Sequence, residues 1–264
     1  MQKHVKQSIS IIQKLETETP YFLGFSGGKD SIVLYDMAVK SGVKFKAIHA
    51  NTTIDPPGTL NFIKNNFDVE IMQPQKSFFQ LVKEKGLPGR LRRFCCEHLK
   101  EQYGIGKRSL EGMRKAESAG RKFYEPEQCD TRKFMKGAQH ILPILEWSDV
   151  QIWRYIHDNN LPYMKYYDAP YNFDRHGCVG CPLAQKWKMR KEFKALPKFA
   201  FALISAIKKH MEYKPNNFLA TNFDNEYEAF YFYIHEKSVS EIKEMKTGFF
   251  KYDFRKVVES WLLS

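Results

Sequence analysis

The apolar positions change period along the chain. Val5, Ile9, Ile12 and Leu15 recur at near-helical spacing, so residues 3–16 read as an amphipathic helix packed on the main domain. Tyr21-Phe22-Leu23-Gly24-Phe25 is instead a continuous apolar run of strand length. The polar hexapeptide Ser26-Gly27-Gly28-Lys29-Asp30-Ser31 follows as a turn, and Ile32 to Val39 reads as a helix ending near Gly42. Phe45 to Ala50 and Asp68 to Met72 read as further strands, separated by a loop with Pro56-Pro57-Gly58 and a helical Leu60 to Asn66. A fourth strand is placed over Arg108 to Met113. Ser148 with Gln151 makes a capping box for a helix carrying Val150, Trp153 and Ile156. This alternation predicts an α/β fold, a doubly wound parallel sheet covered on both faces and reaching about residue 160.

After Pro182 the pattern turns basic, aromatic and helical. Phe199, Leu203 and Ile207 recur every four residues, Tyr227, Phe230, Tyr231 and Ile234 give a second stripe, and Phe254, Val257, Val258 and Trp261 a third. Such stripes are read as core. No internal repeat or low-complexity tract interrupts the chain, and the change in character divides it into residues 1–185 and a helical extension, 186–264.

With 264 residues, 43% of them hydrophobic, the chain can bury a core. The opening MQKHVKQSISIIQKL has no apolar stretch of secretory type, and no window reaches the roughly 18 apolar residues that span a bilayer. A soluble, cytoplasmic protein without a membrane partner is expected. Five cysteines, an odd number, point to reduced thiols or metal ligands rather than a disulfide framework. Forty-two Lys and Arg against thirty Asp and Glu leave a formal charge of +12, which favours nucleotides, oxyanions or nucleic acid as partners.

The turn after the first strand carries the clearest chemistry. A strand, a glycine loop and a helix present free backbone N–H groups and the positive end of a helix to bound phosphate. Gly27 and Gly28 permit close approach, Lys29 supplies a point charge, and the hydroxyls of Ser26 and Ser31 can donate to phosphate oxygens. The spacing fits neither a Walker A loop nor the G-x-G-x-x-G dinucleotide pattern.

Cys95-Cys96 and Cys178-Val179-Gly180-Cys181 form two pairs. Adjacent cysteines chelate a single ion awkwardly, whereas a cubane offers each thiolate a separate iron, so a 4Fe-4S cluster suits this arrangement better than zinc. A structural zinc, a redox-active CxxC pair and unliganded buried thiols stay open as alternatives. Arg90, Arg92 and Arg93 can offset thiolate charge or hold a substrate oxyanion.

SGGKDS after an apolar strand resembles the PP-loop of ATP pyrophosphatases and of the phosphoadenylyl-sulfate reductase family. The resemblance covers about residues 20–185. Gly89 to Cys96 with Lys100 is similar to the family's arginine–cysteine segment, and Gly112-Met113-Arg114-Lys115-Ala116-Glu117-Ser118 with Arg121 to its G-[IM]-R-x-x-E-S-x-x-R segment. Ile144 to Ile156, followed by Asn160-Leu161-Pro162-Tyr163, resembles its tryptophan-containing helix and N-x-L-P turn. By these motifs the chain is identified as a member of that family, within the PP-loop, adenine nucleotide alpha hydrolase-like superfamily. Cluster-bearing adenylyl-sulfate reductases and the related DNA phosphorothioation enzymes stand nearest by motif.

The resemblance implies a parallel sheet of five or six strands with an adenine nucleotide at its C-terminal edge. Carried over by position, Ser26 to Ser31, Gly112 and Arg114 would bind the nucleotide. Arg93, Lys100 and Arg121 would face phosphate or sulfate, with Glu117 fixing an arginine, and Lys29 and Arg114 are the candidate catalytic groups. Two departures matter. No cysteine follows Cys181, so the C-terminal nucleophile of the assimilatory reductases is missing and Cys129 is the one thiol left over. Asn51-Thr52-Thr53-Ile54-Asp55 lacks the family's leucine–aspartate–threonine–glycine wording, which bears on substrate preference.

Three functions are compatible with this reading. The first binds ATP or adenylyl sulfate, with Mg²⁺, and activates an acceptor for sulfur transfer from a sulfur-donor protein. The second is sulfonucleotide reduction with thioredoxin as electron donor. The third is a nucleotide-sensing or nucleic-acid-binding module, for DNA or tRNA, resting on the basic segment Lys186-Trp187-Lys188-Met189-Arg190-Lys191.

Overall fold

A computed structural model describes residues 1–247 and 251–264. The chain opens with α1 (Gln2–Lys14), β1 (Tyr21–Gly24), α2 (Lys29–Ser41), β2 (Phe45–Ala50), α3 (Thr59–Asn66) and β3 (Glu70–Met72). There follow α4 (Phe78–Lys85), α5 (Phe94–Leu99), β4 (Arg108–Leu110), β5 (Glu127–Cys129), β6 (Gln139–Ile141) and α6 (Asp149–Asp158). The C-terminal part is helical: α7 (Lys186–Ala195), α8 (Pro197–Tyr213), α9 (Phe218–Asn222), α10 (Glu226–Ile234), α11 (Val239–Thr247) and α12 (Phe254–Leu263). Among the described residues no helix is long and apolar enough to cross a membrane.

These elements gather into two compact units. The first comprises residues 1–51, 57–74 and 97–177 and holds a six-stranded sheet in the order β3-β2-β1-β4-β6-β5. Five strands are parallel, and β5 runs antiparallel to β6 at the edge. The sheet is therefore mixed, not wholly parallel as the sequence pattern predicts. Its last two strands have three residues each, too few to show a period, and the fourth strand stops at Leu110 rather than Met113.

Leu23, Ile32, Leu34, Met37, Leu110, Ile141 and Trp147 form the core of this unit, each almost wholly buried. Full burial of such side chains contributes roughly 1.5–3 kcal/mol apiece. Val5, Ile9 and Leu15 of the predicted N-terminal stripe pack against that core and Ile12 is inside it. The Tyr21 hydroxyl donates to the Ile12 carbonyl at 3.0 Å, and the Trp147 indole N–H donates to Ser8 Oγ at 3.0 Å, which ties α1 down. Ser148 and Gln151 form the predicted capping box at α6.

The second unit comprises residues 52–56, 75–96 and 178–264. The sequence pattern divides the chain at residue 185; in the structure Phe78, Leu81 and Val82 give α4 a buried face, and α4 is grouped with the C-terminal helices. The three C-terminal stripes place Leu203, Ile207, Phe230, Ile234, Phe254 and Val258 in the core. Residues 52–56 also belong to this unit: Val179 N–H donates to the Ile54 carbonyl at 2.8 Å, and Thr53 Oγ1 accepts from Phe78 N at the start of α4.

Candidate functional site

Strand order reverses between β1 and β4, the topological switch point at which open parallel sheets bind ligands beyond their carboxyl ends. Ser26 to Gly28 leave β1 there and Gly112 follows β4. Both segments are shaped by glycine. Gly27 has φ +75°, and a Cβ on Gly112 would stand 3.2 Å from the backbone carbon and oxygen of Asp30. Internal bonds fix the loop: Ser26 Oγ accepts from Gly28 N at 3.2 Å and donates to Ser31 Oγ at 3.1 Å, and Ser31 Oγ donates to the Gly28 carbonyl at 2.8 Å.

Gly28 caps α2, so the first-turn amides of that helix open toward the switch point. A phenol occupies part of this cradle. Tyr167 Oη accepts from Lys29 N at 2.9 Å and from His176 N at 3.1 Å, as an anion's oxygen would. Burial pushes the Tyr167 hydroxyl well above its ordinary pKa and the charges of Asp30 and Asp149 push the same way, so it stays neutral.

The charged groups around the loop form one network. Lys29 is 5% exposed, with its ammonium 3.5 Å from carboxylate oxygens of both Asp30 and Asp149 and 3.3 Å from the Asp174 carbonyl. Arg114 is 1% exposed. Its Nε donates to Asp30 at 2.7 Å, its Nη2 to Asp149 at 2.6 Å and its Nη1 to the Trp147 carbonyl at 3.1 Å. Burial raises the Asp149 carboxyl, but Lys29 and Arg114 outweigh it and hold the carboxyl below its usual range. A cavity of about 380 Å³ opens beside Lys29, walled by Asp149, Trp153, His157, Tyr163 and Tyr167.

Thus the structure brings together Ser26, Gly27, Gly28, Lys29, Asp30, Ser31, Gly112 and Arg114, all named from sequence. It also gives Arg114 a different neighbourhood from the one the resemblance implies: its guanidinium is turned to Asp30 and Asp149. Glu117 does fix an arginine, pairing with Arg121 while accepting from Arg114 N at 2.9 Å. Burial lowers the Arg121 pKa, while Asp30 and Glu111 work against that, so its charge is felt at the loop. Lys100, half-buried at the end of α5, lies in the first unit and Arg93 in the second.

Cys129 lies elsewhere on the sheet. It pairs with Gln139, the first residue of β6, whereas Glu127 pairs with Ile141, the last. Since β6 is parallel to β4 and β4 to β1, Cys129 stands at the amino-terminal end of the parallel strands, opposite the loop.

All four remaining cysteines belong to the second unit. A hydrogen bond with Cys96 and burial push the Cys95 thiol far up, and the charges of Cys96, Cys178 and Cys181 push it further, so the four sulfurs share one electrostatic environment. Gly180 fits the turn between Cys178 and Cys181 to α7: a Cβ there would stand 2.0 Å from the Phe193 ring, and Gly180 N donates to Glu192 Oε2 at 2.7 Å. Among the described residues the Tyr233 hydroxyl is buried without a hydrogen-bond partner, and it lies within the field of Cys181 and Cys95. Among the described residues no group of three or more His, Cys, Asp or Glu side chains is arranged about a single metal ion.

Tyr167, His157, Asp149, Asp174 and His176 are site residues that the sequence reading did not single out. Only Asp149 carried a signal: it follows the Ser148 cap and so opens α6 beside whatever the cap faces.

The family description phosphoadenosine phosphosulfate reductase domain matches residues 20–184. An uncharacterized protein of Methanocaldococcus jannaschii is 30% identical over 193 residues, which is 68% of this chain and 39% of that protein. A second protein from the same organism is 30% identical over 70% of this chain and 48% of its own length, so the chain spans less than half of either. The adenosine 5'-phosphosulfate reductase of Oceanobacillus iheyensis is 25% identical over 62% of this chain and 71% of its own. A solved phosphate complex of phosphoadenylyl-sulfate reductase from Candida auris covers 67% of this chain and 95% of its own, at 17% identity and a TM-score of 0.49.

Proposed function

The chain belongs to the phosphoadenosine phosphosulfate reductase domain family, and from that premise we propose that it binds ATP or a sulfonucleotide on Ser26 to Ser31 and serves adenylation-dependent sulfur transfer. The observation that carries this reading is the loop itself: a glycine-shaped, internally bonded turn at the switch point, opening a helix, with a buried lysine beside it. The nucleotide's terminal phosphates would take the amides now held by Tyr167 Oη, and the Lys29 ammonium would balance their charge. An acceptor oxygen attacks the α-phosphorus, the bond to the bridging oxygen breaks, and pyrophosphate leaves with that electron pair. Mg²⁺ accompanying the nucleotide would add charge on the phosphate oxygens, with Asp149 as its protein carboxylate.

Arg114 in this scheme is a positioning residue. Its fork holds Asp30 and Asp149 on either side of Lys29, so the ammonium has a fixed location before substrate arrives. Release of labelled pyrophosphate from ATP tests the reading: Lys29→Ala abolishes it if Lys29 acts as described, and undiminished release by that variant contradicts it.

Cys95, Cys96, Cys178 and Cys181 fit a 4Fe-4S cluster by donor chemistry: four soft thiolates whose mutual repulsion needs a cationic core, with the Tyr233 hydroxyl left for a sulfur to accept. Such a cluster, with one thiolate on each iron, would supply electron storage. Zinc is the alternative occupant. Visible absorption with iron and zinc counts on anaerobically purified protein separates them: about four irons per chain are expected, and stoichiometric zinc without iron would refute the cluster. Thioredoxin-dependent reduction is the second reading, favoured by the reductases among the relatives. Cys129 is poorly placed for it, so Cys129→Ser should leave any sulfite formation intact.

A further inference from the structure

The second unit has a cavity of its own, about 440 Å³, whose lining carries five cationic side chains and no Asp or Glu. Lys85, Arg90, Arg92, Lys186 and Lys214 all face it, and among the described residues none of the five is in an ion pair. By contrast Lys29, Arg108, Arg114 and Arg132 of the first unit each meet a carboxylate. Cations gathered in a concave site whose lining holds no carboxylate repel one another, a cost that a bound anion lowers.

Local structure aims these charges. Gly89 and Arg92 exchange backbone hydrogen bonds at 3.2 Å in both directions, a tight turn whose tip is Arg90 and the fully exposed Leu91. Among the described residues Arg90 makes no hydrogen bond of its own. Arg92 donates to the Lys85 carbonyl and lies 5.7 Å from the Phe94 ring, over which Lys85 is also placed. Lys186 sits 4.8 Å over the Tyr233 ring and donates to the Tyr233 carbonyl; burial and the charges of Arg90 and Arg190 lower its pKa, with Glu236 the opposing carboxylate. Phe218, also in the lining, is 55% exposed and tilted against Phe232 at 6.1 Å. It offers an open aromatic face beside the cations.

We propose that this cavity binds an unpaired segment of a nucleic acid chain, with backbone phosphates on Arg90, Arg92 and Lys186 and a base on Phe218. Five unpaired cations exceed what one phosphate monoester neutralises, and successive phosphodiesters match them. A base can reach Phe218 only when it is not stacked within a duplex. The proposal does not depend on the chemistry at Ser26 to Ser31.

Fluorescence anisotropy on the full chain tests it, using labelled single-stranded RNA and DNA 12-mers, the matching duplexes, and AMP, inorganic phosphate and an acidic peptide as competitors. The expected result is salt-dependent binding of single strands, weakened about tenfold by Arg90→Glu and by Phe218→Ala, with a shallower salt slope in Arg90→Glu. Arg90 is exposed at the tip of its turn, and an unchanged unfolding midpoint in that variant keeps the result interpretable. Equal affinity for duplexes, unaltered binding by both variants, or displacement by AMP, phosphate or the acidic peptide at the oligomer's own concentration would each overturn the proposal. Loss of the loop's reaction leaves a different trace: Lys29→Ala stops ATP turnover while oligomer binding stays as it was.

Discussion

At the scale of single residues the site depends on one backbone conformation and one buried fork. Gly27 occupies the left-handed region at φ +75°, and a Cβ there would also meet Ile63 at 3.4 Å. Gly27→Ala is expected to cost about 1 kcal/mol of stability and to weaken ATP binding, read by denaturant unfolding beside a calorimetric titration; an alanine variant with full affinity would show the loop adopts another shape on binding. Arg114→Lys keeps the charge but cannot donate to Asp30, Asp149 and the Trp147 carbonyl together. About 3 kcal/mol of destabilisation is expected, and a variant as stable as the parent would mean that the fork is dispensable. Ser26 to Ser31 were legible in the sequence because glycine and hydroxyl requirements are local. Tyr167 was not: its hydroxyl meets Lys29 N from 138 residues away, and nothing in Lys165-Tyr166-Tyr167 marks one tyrosine over its neighbour.

Among the elements, those with a period were legible and those without were not. Helices α1, α2 and α6 and strands β1 and β2 follow the apolar spacing, whereas β5 and β6 are three-residue strands fixed by non-local partners. His140 on β6 is one of those partners, bonded to Glu111 after β4 and to Asp130 after β5. Glu111 chiefly, opposed by burial and aided by Asp130, pushes its pKa up to about 9 from 6.5. Because the folded value is the higher, its stabilisation is complete below about pH 6.5 and disappears as pH rises through about 9. Urea unfolding at pH 6.5 and pH 10 should therefore show a loss that His140→Gln lacks; identical pH profiles for the two proteins would remove this role. In the second unit, Gly180→Ala drives a methyl into the Phe193 ring, so the Cys178–Cys181 turn must leave α7. The iron content of purified protein should fall well below that of the parent, and full loading would show the turn has room to move.

For the whole molecule, composition announced a helical, basic extension over residues 186–264 but not the earlier segments grouped with it. Residues 52–56 and 75–96 join the C-terminal helices because α4 has its buried face there, a tertiary fact that no local composition records. The formal charge of +12 had a partial address in the basic run Lys186 to Lys191, but which cations would find carboxylates was not legible. In the structure, Lys29 and Arg114 of the first unit meet carboxylates, and among the described residues the five cations around the second unit's cavity do not. The central claim concerns the first unit: the turn between β1 and α2 is an anion cradle for an adenine nucleotide. A crystal structure of the protein with a non-hydrolysable ATP analogue tests it most directly. Phosphate oxygens should be found on the amides of Lys29 and its neighbours, within reach of the Lys29 ammonium, with the Tyr167 hydroxyl displaced. A nucleotide bound away from that turn, with Tyr167 Oη still holding the Lys29 and His176 amides, would contradict the account.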